Sequence, residues 1–269
     1  MGGKKLHASW IGPYIPSNIS TYVEPFGGAM WVYWKSNRVP VEKNIYNDFN
    51  RHLVNVFGCA SRDPFHFKEV LESYYCDMHN AELFIEYRDE IFGMYDTSFI
   101  IPDYPLAAKY MLLQLQTFSG GENLTKDSKI YIEKKYKPKF HVFTEKFSQK
   151  NYLKRLACLE VENMDCREVI TKYDNPNAFF YIDPPYYNLE SYYTEDDFGH
   201  KDHLELLDLL KRIQGRWALS YYYFDELEIM LPKDEYVWHE ELTYSNNSVD
   251  RAPRTELLIM NYKTGLSFL

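Results

Sequence analysis

Ala178-Phe179-Phe180-Tyr181-Ile182-Asp183-Pro184-Pro185-Tyr186 is the stretch on which the reading of this chain turns. Five apolar residues run without alternation into Asp183. That pattern predicts a strand buried on both faces, as in a parallel sheet covered by helices. The two prolines end it, because proline lacks the N–H that a central strand must donate. The chain therefore leaves the sheet at Asp183, beyond the strand's carboxyl end, where ligands bind in open α/β sheets. By average residue usage, Asp-Pro-Pro-Tyr arises by chance in about one chain per thousand of this size.

Moving outward from this strand, an αβ rhythm appears on both sides. Thr21 to Glu24 predicts a strand, Pro25-Phe26-Gly27-Gly28 a turn, Ala29 to Trp34 a helix and Asn44 to Tyr46 the next strand. Leu159 to Glu162, Arg216 to Ser220 and Glu256 to Asn261 predict further strands. Arg167 to Lys172 and His203 to Ile213 predict helices between them. From 51 to 118 the apolar spacing turns helical, with helices over Pro64 to His79, Ala81 to Phe92 and Pro105 to Phe118, two of them opening near proline. Lys129 to Glu133 alternates and predicts an exposed strand or hairpin. The fold expected is an α/β sheet of the Rossmann-like type, formed by residues 1–52 and 147–269, with a mostly helical inserted domain over 53–146.

The 269 residues suffice for one large domain with such an insertion, and 45% hydrophobic content is ordinary for a globular chain. No apolar run nears the ~18 residues that cross a bilayer, and no leader pattern is visible, so a soluble intracellular protein is expected. Four cysteines without CxxC or Cys/His spacing predict free thiols in a reducing compartment and no metal site. A net charge of −9 opposes polyanion binding unless basic charge is concentrated somewhere. It is. Between residues 126 and 146, Lys126, Lys129, Lys134, Lys135, Lys137, Lys139 and Lys146 face three acids, leaving +4 on that segment. Tyr131, Tyr136, Phe140 and Phe143 interleave with them and could stack on bases, so double-stranded DNA is the partner expected there; a solvated basic hairpin is the alternative.

The chemistry that Asp183 to Tyr186 suits is transfer to an exocyclic amine such as adenine N6. That amine has two protons and a delocalised, poorly nucleophilic lone pair. The Asp183 carboxylate can accept one N–H and the Pro184 carbonyl the other, orienting the nitrogen and favouring the charge that develops on it. Pro185 stiffens the turn, and Tyr186 can stack on a base that has left the duplex. A capping aspartate in a proline turn is the structural alternative. Further upstream, Glu24-Pro25-Phe26-Gly27-Gly28 follows the first strand, and glycines there let backbone approach a ligand at a helix N-terminus. Asp48, 20 positions past Gly28, ends the next strand where an acid can bind ribose hydroxyls.

In motif, order and spacing, the chain resembles the Dam-type, DPPY-bearing DNA N6-adenine methyltransferases, especially phage and prophage members. Gly2-Gly3-Lys4, Tyr22 to Ala29, Tyr46-Asn47-Asp48, Asn163-Met164-Asp165, Phe180 to Tyr186, Gly215 to Tyr221 and Arg254 to Tyr262 carry the resemblance. It implies S-adenosylmethionine as cofactor, no metal, a flipped adenine as substrate and the cytoplasm of a bacterial or phage-infected cell as location. Lys4 would meet the cofactor carboxylate, with Glu24, Pro25, Phe26, Gly27 and Gly28 forming the loop at the methionine end. Asp48 would bind the ribose, Asp165 the adenine amino group, and Asp183 would lie between cofactor and base. The family's insertion is its target-recognition region. Two positions depart from the pattern. Met30 stands where the family has a further glycine, and Met1 where many members have an aromatic residue. A catalytically silent DNA-binding relative is the alternative reading, as is a methyltransferase for RNA or another amine. The 157 positions between Phe26 and Asp183, with a basic segment inside, favour the adenine enzymes.

Overall fold

A computed structural model of the chain describes residues 3–5, 7–77, 80–93, 101–117, 128–129, 137–187, 198–243 and 254–264. Seven strands, β1 (Thr21–Glu24), β2 (Lys43–Asn47), β3 (Leu159–Glu162), β4 (Ala178–Ile182), β5 (Arg216–Tyr221), β6 (Val237–Thr243) and β7 (Arg254–Met260), form one sheet in the order β3-β2-β1-β4-β5-β7-β6. The first five in that order are parallel, with Val23 opposite both Ile45 and Phe180, and Tyr181 opposite Ala218. β7 runs antiparallel to β5 and β6, with Tyr221 opposite Leu257.

All five residues of β4 are buried, as its unbroken apolar run predicts. The two-residue period of a strand divides them between two cores. Phe179 and Tyr181 join Tyr22, Tyr46, Leu258 and Met260 on one face, while Phe180 and Ile182 join Val23, Ile45, Leu219 and Ile259 on the other. The helices α1 (Ala8–Ile11), α2 (Trp31–Lys35), α3 (Arg51–Arg62), α4 (Pro64–Ser73), α5 (Ala81–Gly93), α6 (Tyr104–Gln116), α7 (Lys137–Glu145) and α8 (Lys150–Ala157) cover the first face. The second face is covered by α9 (Cys166–Tyr173), α10 (His200–Leu210) and α11 (Asp225–Met230). Val54, Phe67, Phe84 and Met111 of the helical segment thus pack in a continuous core with the sheet.

Side-chain caps start these helices where the sequence supplies them. Asn50 accepts from the His52 and Leu53 N–H groups at α3, and Asp63 and Asp103 do the same for α4 and α6, where proline follows. Among the described residues, no helix is long and apolar enough to cross a membrane.

Several expectations are corrected. The helix expected over Pro64 to His79 stops at Ser73 and continues as a short 3-10 turn, Tyr75–Asp77. β6 was not foreseen, because Trp238-His239-Glu240-Glu241 is too polar for the strand pattern of the other six. Within the basic segment, Ile130 to Glu133 lie outside the described residues, and from Lys137 onward the chain is the helix α7 rather than a hairpin. Phe140 is not free to meet bases. It is buried against Tyr75, ring centroids 4.8 Å apart, while Phe143 packs on Phe147 at 5.5 Å. Phe140, Phe143 and Phe147 recur at three and four residues, a helical stripe that packing claims for the core.

Candidate active site

β1 and β4 are neighbours whose connections leave in opposite directions, β1 toward β2 and β4 toward β5. This is the switch point of the sheet, and it opens a crevice at the carboxyl ends of the strands. The loop at residues 25–30 and the segment Asp183 to Tyr186 stand on its two sides, with residues 48–50 and 163–165 alongside on the β2 and β3 ends.

The loop after β1 has little freedom. A Cβ on Gly27 would lie 2.4 Å from the Tyr46 ring and 2.8 Å from the Asn47 carbonyl, so only glycine fits. The Gly27 N–H donates to the Asn47 carbonyl at 2.7 Å. Gly28 has φ +47° and open space where a side chain would be, and its N–H donates to Asp48 Oδ2 at 2.7 Å. Asp48 also accepts from the Asn50 N–H, and burial raises its pKa. Met30 has φ 55° and is buried. Met30, which stands where the resembled pattern has a glycine, therefore takes a left-handed backbone. That conformation costs an L-residue about 1–2 kcal/mol, which the buried methionine side chain offsets with about 1.5–3 kcal/mol.

Asn47, buried at the end of β2, ties three loops together. Its side-chain N–H groups donate to the Pro25 carbonyl at 2.8 Å and the Met164 carbonyl at 3.1 Å, while its oxygen accepts from the Met164 N–H at 2.9 Å. Beside this knot lies a cavity of about 320 Å³ lined by Phe49, Arg51, His52, Asn163, Met164, Asp165 and Glu168. Phe49 is 64% exposed at its rim. Asp165 borders it but also caps α9 through the Arg167 N–H at 2.7 Å and forms a two-point pair with the Arg167 guanidinium at 2.8 and 2.6 Å. Arg167 holds the Asp165 carboxyl below its usual pKa and continues to Asp202 at 2.7 Å and Glu205 at 2.6 Å on α10.

Across the crevice, Pro184 is buried, and Asp183, Pro185 and Tyr186 are half-buried. Lys4 comes here from the other end of the chain. It is only 7% exposed, with Nζ bonded to the Tyr186 hydroxyl and to Glu256 Oε1 and 3.5 Å from Asp183 Oδ1. Burial works to strip its proton, and the charges of Asp183 and Glu256 outweigh that and raise its pKa. The Tyr186 hydroxyl lies 2.6 Å from Glu256 Oε1 and 3.2 Å from Asp183 Oδ1, so its proton goes to Glu256. Its ring meets Tyr222 at 4.2 Å. Behind the motif, Glu24 is 2% exposed and accepts from the Tyr22 hydroxyl at 2.6 Å and the Tyr33 N–H at 3.2 Å. Burial pushes its carboxyl up to about 8, which keeps a second negative charge away from Asp183 at neutral pH. Phe26 is half-buried, edge-on to Phe198 at 5.5 Å.

Lys129 and Lys139 are exposed. Lys137 begins α7 with its side chain outside the described residues, and Lys126, Lys134 and Lys135 lie outside them altogether. Sequence reasoning missed the roles of Glu256, Asn47 and Arg167. Only Glu256 left a signal, as a lone acid heading the apolar run Leu257 to Met260.

A family model described as D12 class N6 adenine-specific DNA methyltransferase matches residues 1–245. The Type II methyltransferase M.FokI of Planomicrobium okeanokoites is 26% identical over 97% of the chain, which spans 42% of that protein. M1.LlaDCHI of Lactococcus lactis subsp. cremoris, also a Type II methyltransferase, is 24% identical over 97% of the chain and 93% of its own length. M.MjaIII of Methanocaldococcus jannaschii, a third, is 25% identical over 81% of the chain and 79% of its own length. Sheet order, crevice and motif agree with the family match: the chain belongs to the D12 class of N6 adenine-specific DNA methyltransferases.

Proposed function

We propose that this chain transfers the methyl group of S-adenosylmethionine to the N6 amine of an adenine turned out of double-stranded DNA at a specific site. The observation that carries this reading is the placement of Asp183 and Pro184 across the switch point from the Gly27-Gly28 loop. The residues fit the cofactor. Gly28 leaves open space at the loop, and the cavity by Asp165 falls in the ~300–1,000 Å³ range of ligand pockets.

When bound, S-adenosylmethionine supplies a methyl group made electrophilic by its sulfonium. Phe26, Gly27 and Gly28 line the methionine end, on a loop that Glu24 and Pro25 anchor from inside. An ammonium has three N–H donors. Glu256 and Tyr186 take two from Lys4, Asp183 pairs with it at 3.5 Å, and the remaining donor capacity would serve the cofactor carboxylate. Asp48 keeps acceptor capacity for ribose hydroxyls beyond its two backbone bonds, and Asp165, with Phe49 at the rim, faces the adenine end. Asp183 accepts one N–H of the target amine and the Pro184 carbonyl the other, which orients the nitrogen and stabilises its developing positive charge. Tyr186 stacks on the flipped base. The amine loses its proton after transfer, so no general base is required.

Target recognition falls to residues 53–146, with Lys126, Lys129, Lys134, Lys135, Lys137 and Lys139 meeting phosphates. Charge reversal at Lys134, Lys135 and Lys137 weakens duplex binding and lowers the slope of log K against log salt by about 0.9 for each phosphate no longer neutralised. A titration across salt concentrations with an unchanged slope removes the segment from the interface.

The reading is tested with labelled cofactor and duplex DNA, followed by nucleoside analysis. N6-methyladenine in duplex DNA, with little label in RNA, is the expected product. Label on another base, or no transfer by protein that binds neither cofactor nor DNA, overturns it. DNA binding without cofactor binding marks the silent alternative.

A further inference from the structure

We propose that Lys5 and Lys146 form an anion site beside the catalytic crevice and hold there one phosphodiester of the duplex, close to the adenine that is turned out. This rests on the function proposed above. The two lysines meet on Trp31, the first residue of α2. Lys5 Nζ lies 5.3 Å from the centroid of the indole ring and Lys146 Nζ 5.5 Å. Lys146 Nζ is also 5.8 Å from the Phe143 ring and 5.8 Å from the Tyr152 ring, so three aromatic side chains surround it. Lys35, exposed at the end of α2, adds a third cation, and its Nζ donates to the Lys5 carbonyl.

One ammonium over an indole is an ordinary stabilising contact. Two on the same indole oppose each other. Lys146 is half-buried, and burial together with the charge of Lys5 lowers its pKa. Tyr173 shows how the fold relieves such a pair elsewhere. Lys43 and Lys172 lie 6.0 and 5.2 Å from its ring, and Glu162 bonds to Lys172 at 2.7 Å. Trp31 has no such acid. Among the described residues, neither Lys5 nor Lys146 pairs with a carboxylate, Glu145 next in sequence included. The rings hold the two ammonium groups in place and cancel none of their charge, in a chain whose net charge is −9. That is a preformed site for an anion that arrives from outside. Its place selects the anion. Lys5 follows Lys4, whose ammonium bonds to Tyr186 in the crevice, and Trp31 follows the loop of Gly27 and Gly28. The strand that delivers the target base must pass here, and contacts to its phosphates fix the register of a duplex on the protein.

The test is a titration of a fluorescent mixed-sequence duplex at several salt concentrations. Lys5→Met combined with Lys146→Met should lower the slope of log K against log salt by about 0.9, the share of one phosphate, and raise Kd at low salt about tenfold. Because both lysines serve one phosphate, either single variant should show most of that change, a non-additive result. Lys211→Met is the control. It removes the same charge from an exposed residue just past α10, on the other face of the sheet, and should leave the slope at its wild-type value. The Kd for S-adenosylmethionine should stay within about twofold in the double variant, which separates this site from that of the cofactor. The thermal midpoint should not fall, since a repulsion is removed. A double variant that keeps the wild-type slope overturns the proposal, and so does an equal loss in Lys211→Met. If the double variant does not fold, Lys5→Met, at an exposed residue, decides alone, and a wild-type slope in it overturns the proposal. A wild-type protein that binds no duplex sinks the function proposed above and this site with it; one that methylates duplex DNA while the variants keep its slope sinks this site alone.

Discussion

Asp183→Ala abolishes methyl transfer to adenine in duplex DNA, with kcat lower by about 10³-fold or more while the fold persists. The size follows from what is removed. Losing one preorganised hydrogen bond to a developing charge costs about 10²–10³ in kcat, and alanine removes a full charge as well. Asp183 is half-buried at the crevice, and Lys4 keeps Glu256 as partner when Asp183 is gone, so no buried charge is orphaned. Single-turnover rates with excess enzyme, read beside a thermal melt, measure both halves of the prediction. Asp183→Asn separates charge from geometry: its amide oxygen still accepts an N–H, so it should be inactive only if the charge matters more than the contact. Wild-type kcat in Asp183→Ala refutes the assigned role, while wild-type kcat in Asp183→Asn assigns that role to the contact rather than the charge.

Gly27→Ala should raise the Kd for S-adenosylmethionine by about 10²-fold and destabilise the fold by about 1–3 kcal/mol through overpacking. The added Cβ would stand 2.4 and 2.6 Å from two carbons of the Tyr46 ring and 2.8 Å from the Asn47 backbone oxygen. Tyr46 cannot swing aside, since its ring stacks on Phe57 at 3.9 Å and its hydroxyl donates to the Gly28 carbonyl at 3.1 Å. Asn47 is held in β2 and by the Pro25 and Met164 loops. The loop itself must move, and with it the Gly27 N–H bond to Asn47. Gly28→Ala is the control. It meets nothing within 4 Å, so its cost is only the left-handed backbone, about 1–2 kcal/mol. Calorimetric titration of both variants with cofactor gives the order of effects, and a Gly27→Ala protein with wild-type affinity would take this loop out of the cofactor site.

The sequence by itself determined the catalytic edge. β1, β3 and β4 occupy the residues their local patterns predict, because the unbroken apolar run of β4 closed by proline, the Leu-Glu-Val-Glu alternation of β3 and the Thr-Tyr-Val-Glu of β1 before Pro25 are information held within a few neighbouring residues. The order of glycine loop, acid and Asp-Pro-Pro-Tyr was legible for the same reason, and it named the family's chemistry. Tertiary structure alone decided the rest. Glu256 reaches Lys4 and Tyr186 only because β7 runs against β5 and delivers its first residues to the carboxyl end of the parallel strands, a reversal that no local period encodes. Lys4 and Glu256 are 252 residues apart, and nothing in either neighbourhood says that these charges are buried together. Met30 looked like a departure by residue type, yet its backbone is left-handed, because the packed loop and its buried side chain impose the conformation. Phe140 looked like a base-stacking residue and is a core residue, because helix and strand periods present different faces of the same side chains. Local composition specifies which groups are available; which of them share a buried space is set by strand direction and long-range packing.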